Sequence, residues 1–529
     1  MLHVSIRMST ILAIASVVLA NQPPVDVHVP YAFSDNSRIA FTGIGMAQTN
    51  EKVPKEELDP NFWRRSANEE LQKRLSNKLN TNKAKNVIFF LGDGMPLTTV
   101  AAARILKGQR EGKPGEESQL SFEKFPYTGL SRTYCTNAQV ADSACTSTAY
   151  LTGVKTNILF LGVSPNMNFN DCKSSMDPAN DLTSLYDWAQ AAGKSTGFVT
   201  TTTLTHASPS GGYAHVSNRL WECDTDVRTY LGDDYTSDCI DIATQLVTEE
   251  PGRKLDFIMG GGIGKFLPKT MIDPFGNPGE RSDGKNLLSE WQRRHDGGVF
   301  VSSRKQMNAI NIEKTTSVLG IFQSKLMNYH HHATESEPTL AEMTETAIKF
   351  LRKNDNGYFV FIEGGLIDYG NHANKPGLSL DETLELSKAV ELARNMTDPE
   401  DTLIVVTSDH AHPLSISGYP ERGNDILNIN KIGYDKSGVH YATLNYAAGP
   451  QQYLDEYGNR IELEGQFGDP DFIFPSYISA NDGVHGGDDV GVFASGPWEH
   501  LFRGVLQQNT LPHIMAYAAC IGDGAKACD

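Results

Sequence analysis

Short continuous apolar runs recur along this chain, and each stops abruptly at glycine or a polar residue. They are 87–91 before Gly92-Asp93-Gly94, 197–200, 257–259 before three glycines, 358–362 before Glu363, and 403–406 before Thr407-Ser408-Asp409-His410. Runs that are apolar on both faces suit strands covered on both sides. Stretches of helical period lie between them at 182–192, 339–353 and 381–394. The alternation predicts an α/β fold with a large, mostly parallel central sheet and helices on both faces. Such sheets bind ligands at the carboxyl ends of their strands, and three of these runs end near a carboxylate. Ahead of the first run, 55–80 predicts a charged amphipathic helix. The stretch 413–482 breaks the pattern, being rich in Gly, Pro, Asn, Asp and Tyr. It reads as an inserted loop-rich subdomain or as ordinary surface loop. No internal repeat is present.

Composition adds limits. The 529 residues are 39% hydrophobic and 21% charged, enough to build a large core. The net charge is −18 and no Lys/Arg run stands out, which argues against a nucleic-acid or anionic-membrane surface. An acidic protein can still bind anions if dications held by its own carboxylates reverse the local field. Residues 1–20 read as a signal peptide: Arg7 supplies the positive start, 11–19 the apolar stretch, and Val18-Leu19-Ala20 the cleavage site. The expected product is 21–529, secreted and extracellular. The chain ends Lys526-Ala527-Cys528-Asp529, without the spacer and hydrophobic tail of a GPI signal. No membrane anchor is therefore expected, although a truncated sequence would look the same. Secretion permits disulfides, and the seven cysteines leave at least one unpaired in a monomer. Asn395-Met396-Thr397 is a glycosylation sequon.

The residues that carry chemistry cluster at the run ends. Asp368 and His372, four apart, share a face on a helical turn and can hold one ion. Asp409 and His410 follow a strand directly, with His412 close by. Asp93 and His485 are flanked by glycines, which let an ion or phosphate approach the backbone. Mixed imidazole and carboxylate ligands suit zinc, while carboxylate with hydroxyl and water suits magnesium. Any one of these residues could be a turn or cap residue, but four separate clusters are hard to explain that way. Ser143 in Asp142-Ser143-Ala144-Cys145 is the nucleophile candidate. Small residues follow it, consistent with a helix whose N-terminus attracts phosphate. Asp142 or Ser143 as a simple N-cap is the competing reading.

Six ordered motifs resemble animal alkaline phosphatases: 86–95 (NVIFFLGDGM), Asp142-Ser143-Ala144, 205–211 (THASPSG), 363–372 (EGGLIDYGNH), 407–412 (TSDHAH) and 485–489 (HGGDD). The match runs from about residue 55 to the C-terminus. The resemblance implies hydrolysis of small phosphate monoesters through a phosphoserine on Ser143, with two zinc ions and one magnesium. Asp368, His372 and His485 would hold the first zinc. Asp93, Asp409 and His410 would hold the second, which also meets Ser143. Asp93, Ser208 and Glu363 would hold magnesium. Arg219 matches the family's phosphate-binding arginine, with Asp142 orienting it, and His206 and His412 would stand behind the ligands. The resemblance also pairs Cys172 with Cys239 and Cys520 with Cys528, leaving Cys135, Cys145 and Cys223 unassigned. It makes 413–482 the family's crown at a homodimer interface, with Tyr419 reaching the neighbouring subunit's site.

Other readings remain. A phosphodiesterase of the same fold typically uses threonine and lacks the third metal. A sulfatase needs Cys/Ser-x-Pro-x-Arg, which Asp142-Ser143-Ala144-Cys145 is not. A non-catalytic binding protein would lack ligands, and none is missing. His330-His331-His332 looks like a metal tract, but its variable, peripheral position favours a solvated loop. The family's peripheral calcium site is doubtful here, since alignment gives Phe275 and Gln323 for its two glutamates and Glu337 for its aspartate, with Phe322 kept.

Overall fold

The computed structural model describes residues 53–236 and 238–529, so the expected signal peptide at 1–20 lies outside the described residues. Ten strands form one large sheet in the order β15-β2-β14-β8-β1-β7-β3-β4-β6-β5. Its centre is built from β8 (Thr402–Ser408), β1 (Asn86–Gly92), β7 (Tyr358–Gly364) and β3 (Ser195–Thr203), all parallel. On one side follow β4 (Phe257–Gly261), β6 (Val318–Ile321) and β5 (Val299–Val301). On the other lie β14 (Val490–Ser495), β2 (Tyr127–Arg132) and β15 (Gly504–Gln507). Strand β14 runs antiparallel to both β8 and β2 and is the one reversal. The sheet is therefore mostly parallel, as the apolar runs predict.

Alternation along the central strands divides the interior into two layers. Val87, Phe89 and Leu91 of β1, with Phe359 and Phe361 of β7 and Leu403 and Val405 of β8, face one core. Ile88, Phe90, Val360, Ile362, Ile404 and Val406 face the other. Helices α2 (Leu97–Arg110), α5 (Leu340–Leu351) and α7 (Pro376–Met396) cover the second layer. Helices α3 (Ser143–Thr152), α4 (Leu185–Ala191) and α8 (Leu511–Ala519) cover the first. The predicted helices at 182–192 and 339–353 are trimmed by side-chain caps, Ser184 and Thr339, each closing a capping box. Helix α7 instead begins five residues before the predicted start of 381, because Pro376 occupies its first turn, where a missing N–H costs nothing.

Residues 55–80 contain a short 3-10 turn, Lys55–Leu58, and helix α1 (Pro60–Ser76), which buries none of its residues. Within 413–482 lie β9 (Leu414–Ile416), β10 (Ile429–Tyr434), β11 (His440–Ala442), β12 (Leu444–Gly449) and β13 (Ser476–Ser479), in two small sheets apart from the main one.

Disulfides Cys172–Cys239 and Cys520–Cys528 are present, and so is Cys135–Cys145, which the sequence left open. Cys223 is buried and unpaired. Arg281 is wholly buried and forms a two-pronged pair with Asp241, both contacts at 2.9 Å, while also reaching Asp283. Removing one partner of such a pair strands the other charge in low dielectric. Arg281→Met should therefore lower unfolding free energy by about 3–5 kcal/mol in urea titrations; no measurable loss would show that the pair is dispensable.

Candidate active site

The central strands end side by side, and their register places the acids together. Leu91 of β1 pairs with Glu363 of β7, and Gly92 pairs with Ser408 of β8. Asp93 and Asp409 are thus the first residues past adjacent strands. Helix α6 (Leu366–His372) follows β7 and carries Asp368 and His372 one turn apart. After β3, His206 precedes a single helical turn containing Ser208. Helix α3 starts at Ser143, capped by Asp142, whose Oδ1 accepts from Cys145 N–H at 3.2 Å. Gly94 makes the crowding possible. Its φ is +60°, and a Cβ there would lie 2.5 Å from Asp368 Oδ1.

Three groups of potential ligands result. Asp368, His410, His412 and His485 form the first, with His372 beside it. His372 Nε2 lies 2.9 Å from His485 Nε2 and 3.3 Å from Asp368, and His412 Nε2 lies 2.5 Å from Asp368 Oδ1. Asp93, Asp409 and His410 form the second, with His410 Nε2 at 3.0 Å from Asp409 and 3.4 Å from Asp93. The nucleophile candidate is here: Ser143 Oγ is 3.2 Å from His410 Nε2. Asp93, His206 and Glu363 form the third, beside Ser208, whose hydroxyl donates to Asp93 at 3.0 Å.

The second-group and third-group acids are buried with few donors to answer them. Burial raises Asp93 well above the usual carboxylate range, and Asp409, Asp368 and Glu363 push it further. Burial likewise lifts Glu363 to about 7, against hydrogen bonds from Thr200 and Ser208. In the first group burial also disfavours the Asp368 carboxylate, but His372 and His412 outweigh it and hold the acid well below its ordinary range. Burial depresses His410, His206 and His485, each to about 3, so these rings are neutral. Neutral imidazole is the form that binds metal. Asp93 Oδ1, Glu363 Oε1 and His206 Nδ1 are buried and find no hydrogen-bond partner. Such orphans are costly, and oxygen and nitrogen donors converging on one point fit dications.

Backbone carbonyls aim the rings. His372 Nδ1 is 2.6 Å from the Gly483 carbonyl and His485 Nδ1 is 2.7 Å from that of Ala141, turning both Nε2 atoms inward. Beside Ser143, Arg219 donates to Asp142 at 3.2 Å and lies 3.0 Å from His206 Nε2. Its guanidinium fork suits two oxygens of a phosphate.

Every residue predicted as a catalytic, ligand or supporting group therefore lies at the carboxyl ends of the central strands. His206 and His412 lie closer than expected, as members of the third and first groups. Thr200 went unnoticed in the sequence: its hydroxyl donates to Glu363 at 2.5 Å from within β3, where a threonine looks like an ordinary strand residue. The histidine tract is solvent-facing, as a solvated loop should be, with His331 and His332 exposed, but it is tied to its neighbours. His330 Nδ1 is 2.7 Å from Asp381 and its N–H donates to Glu382, while His332 reaches Asp471 at 2.7 Å. The carboxylates of α7, invisible as partners in the sequence, pin it down.

A serine capped at a helix N-terminus, beside carboxylate and imidazole clusters at the carboxyl edge of a mostly parallel sheet, is an arrangement that suits a phosphoryl hydrolase. The alkaline phosphatase family pattern matches residues 84–521, and the chain belongs to that family. It is 42% identical over 483 residues to the membrane-bound alkaline phosphatase of Bombyx mori, covering 89% of this chain and 87% of that one. It is also 42% identical over 487 residues to the tissue-nonspecific alkaline phosphatase isozyme of Gallus gallus, covering 90% and 92%. Solved alkaline phosphatases share the fold. That of the Antarctic bacterium TAB5 aligns with TM-score 0.57 at 21% identity over 84% of this chain and all of its own. That of Thermus thermophilus aligns with TM-score 0.58 at 20% identity over 86% and 96%.

The position of Glu363 has a pH consequence. Its folded-state pKa lies above the unfolded value of about 4.3, so the folded, metal-free protein holds the extra proton. Stability from this group is full below the unfolded value and is lost as pH rises through about 7. Glu363→Gln removes that dependence. Urea unfolding of chelator-stripped protein should show the variant gaining on the wild type between pH 5 and pH 8; a constant difference would refute the assignment.

Proposed function

We propose that the chain converts phosphate monoesters to an alcohol and inorganic phosphate through a phosphoserine on Ser143, using two zinc ions and one magnesium. The observation that carries this reading is Ser143 Oγ at 3.2 Å from His410 Nε2, beside carboxylates with unpartnered oxygens. Asp368, His372 and His485 would hold one zinc, and Asp93, Asp409 and His410 the other. Asp93, Ser208 and Glu363 would hold magnesium, with His206 at its edge. Bound ions of this kind supply Lewis-acid charge that acidifies hydroxyl groups and stabilises the oxygens of an in-line displacement.

The chain's own residues do the rest. The free N–H groups at the start of α3 and the Arg219 fork hold two faces of the phosphoryl group. Asp142 keeps Arg219 turned toward Ser143. The Ser143 oxygen attacks phosphorus, losing its proton, and the ester oxygen departs with a proton as the alcohol. Water then attacks the phosphoserine: its oxygen joins phosphorus as the bond from phosphorus to the Ser143 oxygen breaks, and a proton lost by the water restores the Ser143 hydroxyl. Serine as nucleophile, with Glu363 and Ser208 completing a third cation group, favours the monoesterase over a diesterase.

The proposal extends to the setting. Secretion accords with the signal-like 1–20 and three disulfides, and Asn395 is exposed in the last turn of α7, where a glycan can attach. No helix among the described residues is long and apolar enough to cross a membrane. A homodimer with 413–482 as a crown at its interface would cover Tyr477 and Ile478, which are 89% and 56% exposed, and engage Tyr419.

At the expected calcium position, half-buried Phe275 packs against the core, and Glu337 accepts from the Asn328 backbone and side chain. With ligands so occupied, calcium added to zinc- and magnesium-saturated protein should move the melting temperature by less than about 1 °C. A shift of many degrees would restore the site.

Ser143→Ala should abolish covalent phosphate incorporation and lower kcat for p-nitrophenyl phosphate by roughly a thousandfold or more. Chelator treatment of the wild type should remove activity, and zinc with magnesium should restore it. Undiminished phosphoenzyme in the variant, or preference for the bis(p-nitrophenyl) ester, would overturn the reading.

A further inference from the structure

We propose that the Cys135–Cys145 disulfide is a positioning device for the reaction, holding a strap of chain that sets the nucleophile's cap, the phosphate-binding arginine and a metal-facing histidine together. The proposal rests on the roles given above to Ser143, Arg219 and His485.

The strap is 133–142, which contains no helix or strand. It has a small apolar cluster of its own: Cys135, Ala141 and Cys145 are buried together, with Ala138 and Ile158 against them, apart from both large cores. So little apolar area cannot fix a ten-residue segment against its chain entropy. Polar ties hold its middle, where the Thr136 N–H donates to the Thr156 carbonyl at 3.0 Å and the Ile158 N–H to Asn137 Oδ1 at 2.9 Å, and further ties hold its ends. Near its start, Lys155 donates to the Tyr134 carbonyl at 2.8 Å and sits 3.4 Å over the Tyr134 ring centre. One residue later the disulfide joins Cys135 to Cys145, the third residue of α3 and two past Ser143.

Three active-site contacts depend on where the strap's far end lies. The Ala141 carbonyl accepts from His485 Nδ1 at 2.7 Å, fixing which nitrogen that ring presents to a metal. Asp142 caps α3 through Cys145 N–H and also accepts from Leu159 N–H at 3.0 Å. Its other oxygen accepts from Arg219 at 3.2 Å. The covalent bond therefore closes a loop between residues 10 apart in sequence, whose last members touch each part of the phosphate site. Cross-linking a loop removes chain entropy from it whether or not the rest of the protein is folded.

The test compares metal-saturated full-length wild type with two double variants, Cys135→Ser/Cys145→Ser and Cys135→Val/Cys145→Ala. The second keeps apolar volume in the small cluster, so it folds even where the polar pair does not. The wild type first reports on the function itself: no hydrolysis of p-nitrophenyl phosphate would defeat that reading and leave the strap irrelevant. With an active wild type, both variants should lose kcat/KM by about 10–100-fold, with weaker inhibition by inorganic phosphate, as expected when reacting groups shift slightly. Zinc should pass to a chelator about tenfold faster or more, since His485 loses its carbonyl support. A bridge that only stabilises the fold would lower the melting temperature and leave kcat/KM, phosphate inhibition and zinc release at 25 °C unchanged in the apolar pair, and that result would overturn the proposal.

Discussion

The structure is organised around the cost of burying acids. Asp93, Glu363, Asp368 and Asp409 are almost or wholly inaccessible, at the ends of adjacent strands, and only His372, His412 and a few hydroxyl and amide donors answer them. An isolated carboxylate in such surroundings gives up its charge before it gives up its solvent, which is why Asp93 and Glu363 shift upward. Dications held as proposed would remove the conflict, neutralising the acids where they stand and turning a region that repels phosphate into one that attracts it, which would reconcile a net charge of −18 with an anionic substrate.

Holding repelling groups close requires a frame that cannot relax, and the sheet supplies it. Strands β8, β1, β7 and β3 are packed on both faces by separate apolar layers, so none can tilt without opening a core. Their ends are then locked by single hydrogen bonds: Gly94 N–H to Asp409 at 2.9 Å, Met95 N–H to Ser408 at 2.8 Å, and Gln508 to the Asp409 carbonyl at 2.8 Å. The burial that raises the acids and the rigidity that keeps them together have one source.

What could be read from the sequence follows from how local each cause is. The central strands were legible because burial on both faces leaves continuous apolar runs, and Asp93, Glu363, Asp409 and His410 because each sits within two residues of a strand's end. Strand β14 was not: Val490–Ser495 is equally buried, but its antiparallel pairing with β8 and β2 depends on partners far away in sequence. Thr200 was missed because its hydroxyl meets Glu363 only through the register of β3 on β7. The partner of Cys145 stayed open because spacing gives no direction for a side chain. The ties of His330 were not legible because its partners, Asp381 and Glu382, belong to a helix fifty residues on.

These misses share a pattern that bears on how the site works. The donors named from sequence belong to strand ends and a helical turn, but the groups that aim them come from irregular chain: Gly483 behind His372, and Ala141 behind His485. A ligand's identity decides whether a metal can bind, whereas its support decides which nitrogen faces the metal and how freely the ring turns. Support by a backbone carbonyl leaves no mark on residue identity, because any side chain presents the same carbonyl. Segments such as 133–142 can therefore change in composition while keeping their task, provided something else fixes their path. In this chain a covalent bond ties one of them to a residue two past Ser143.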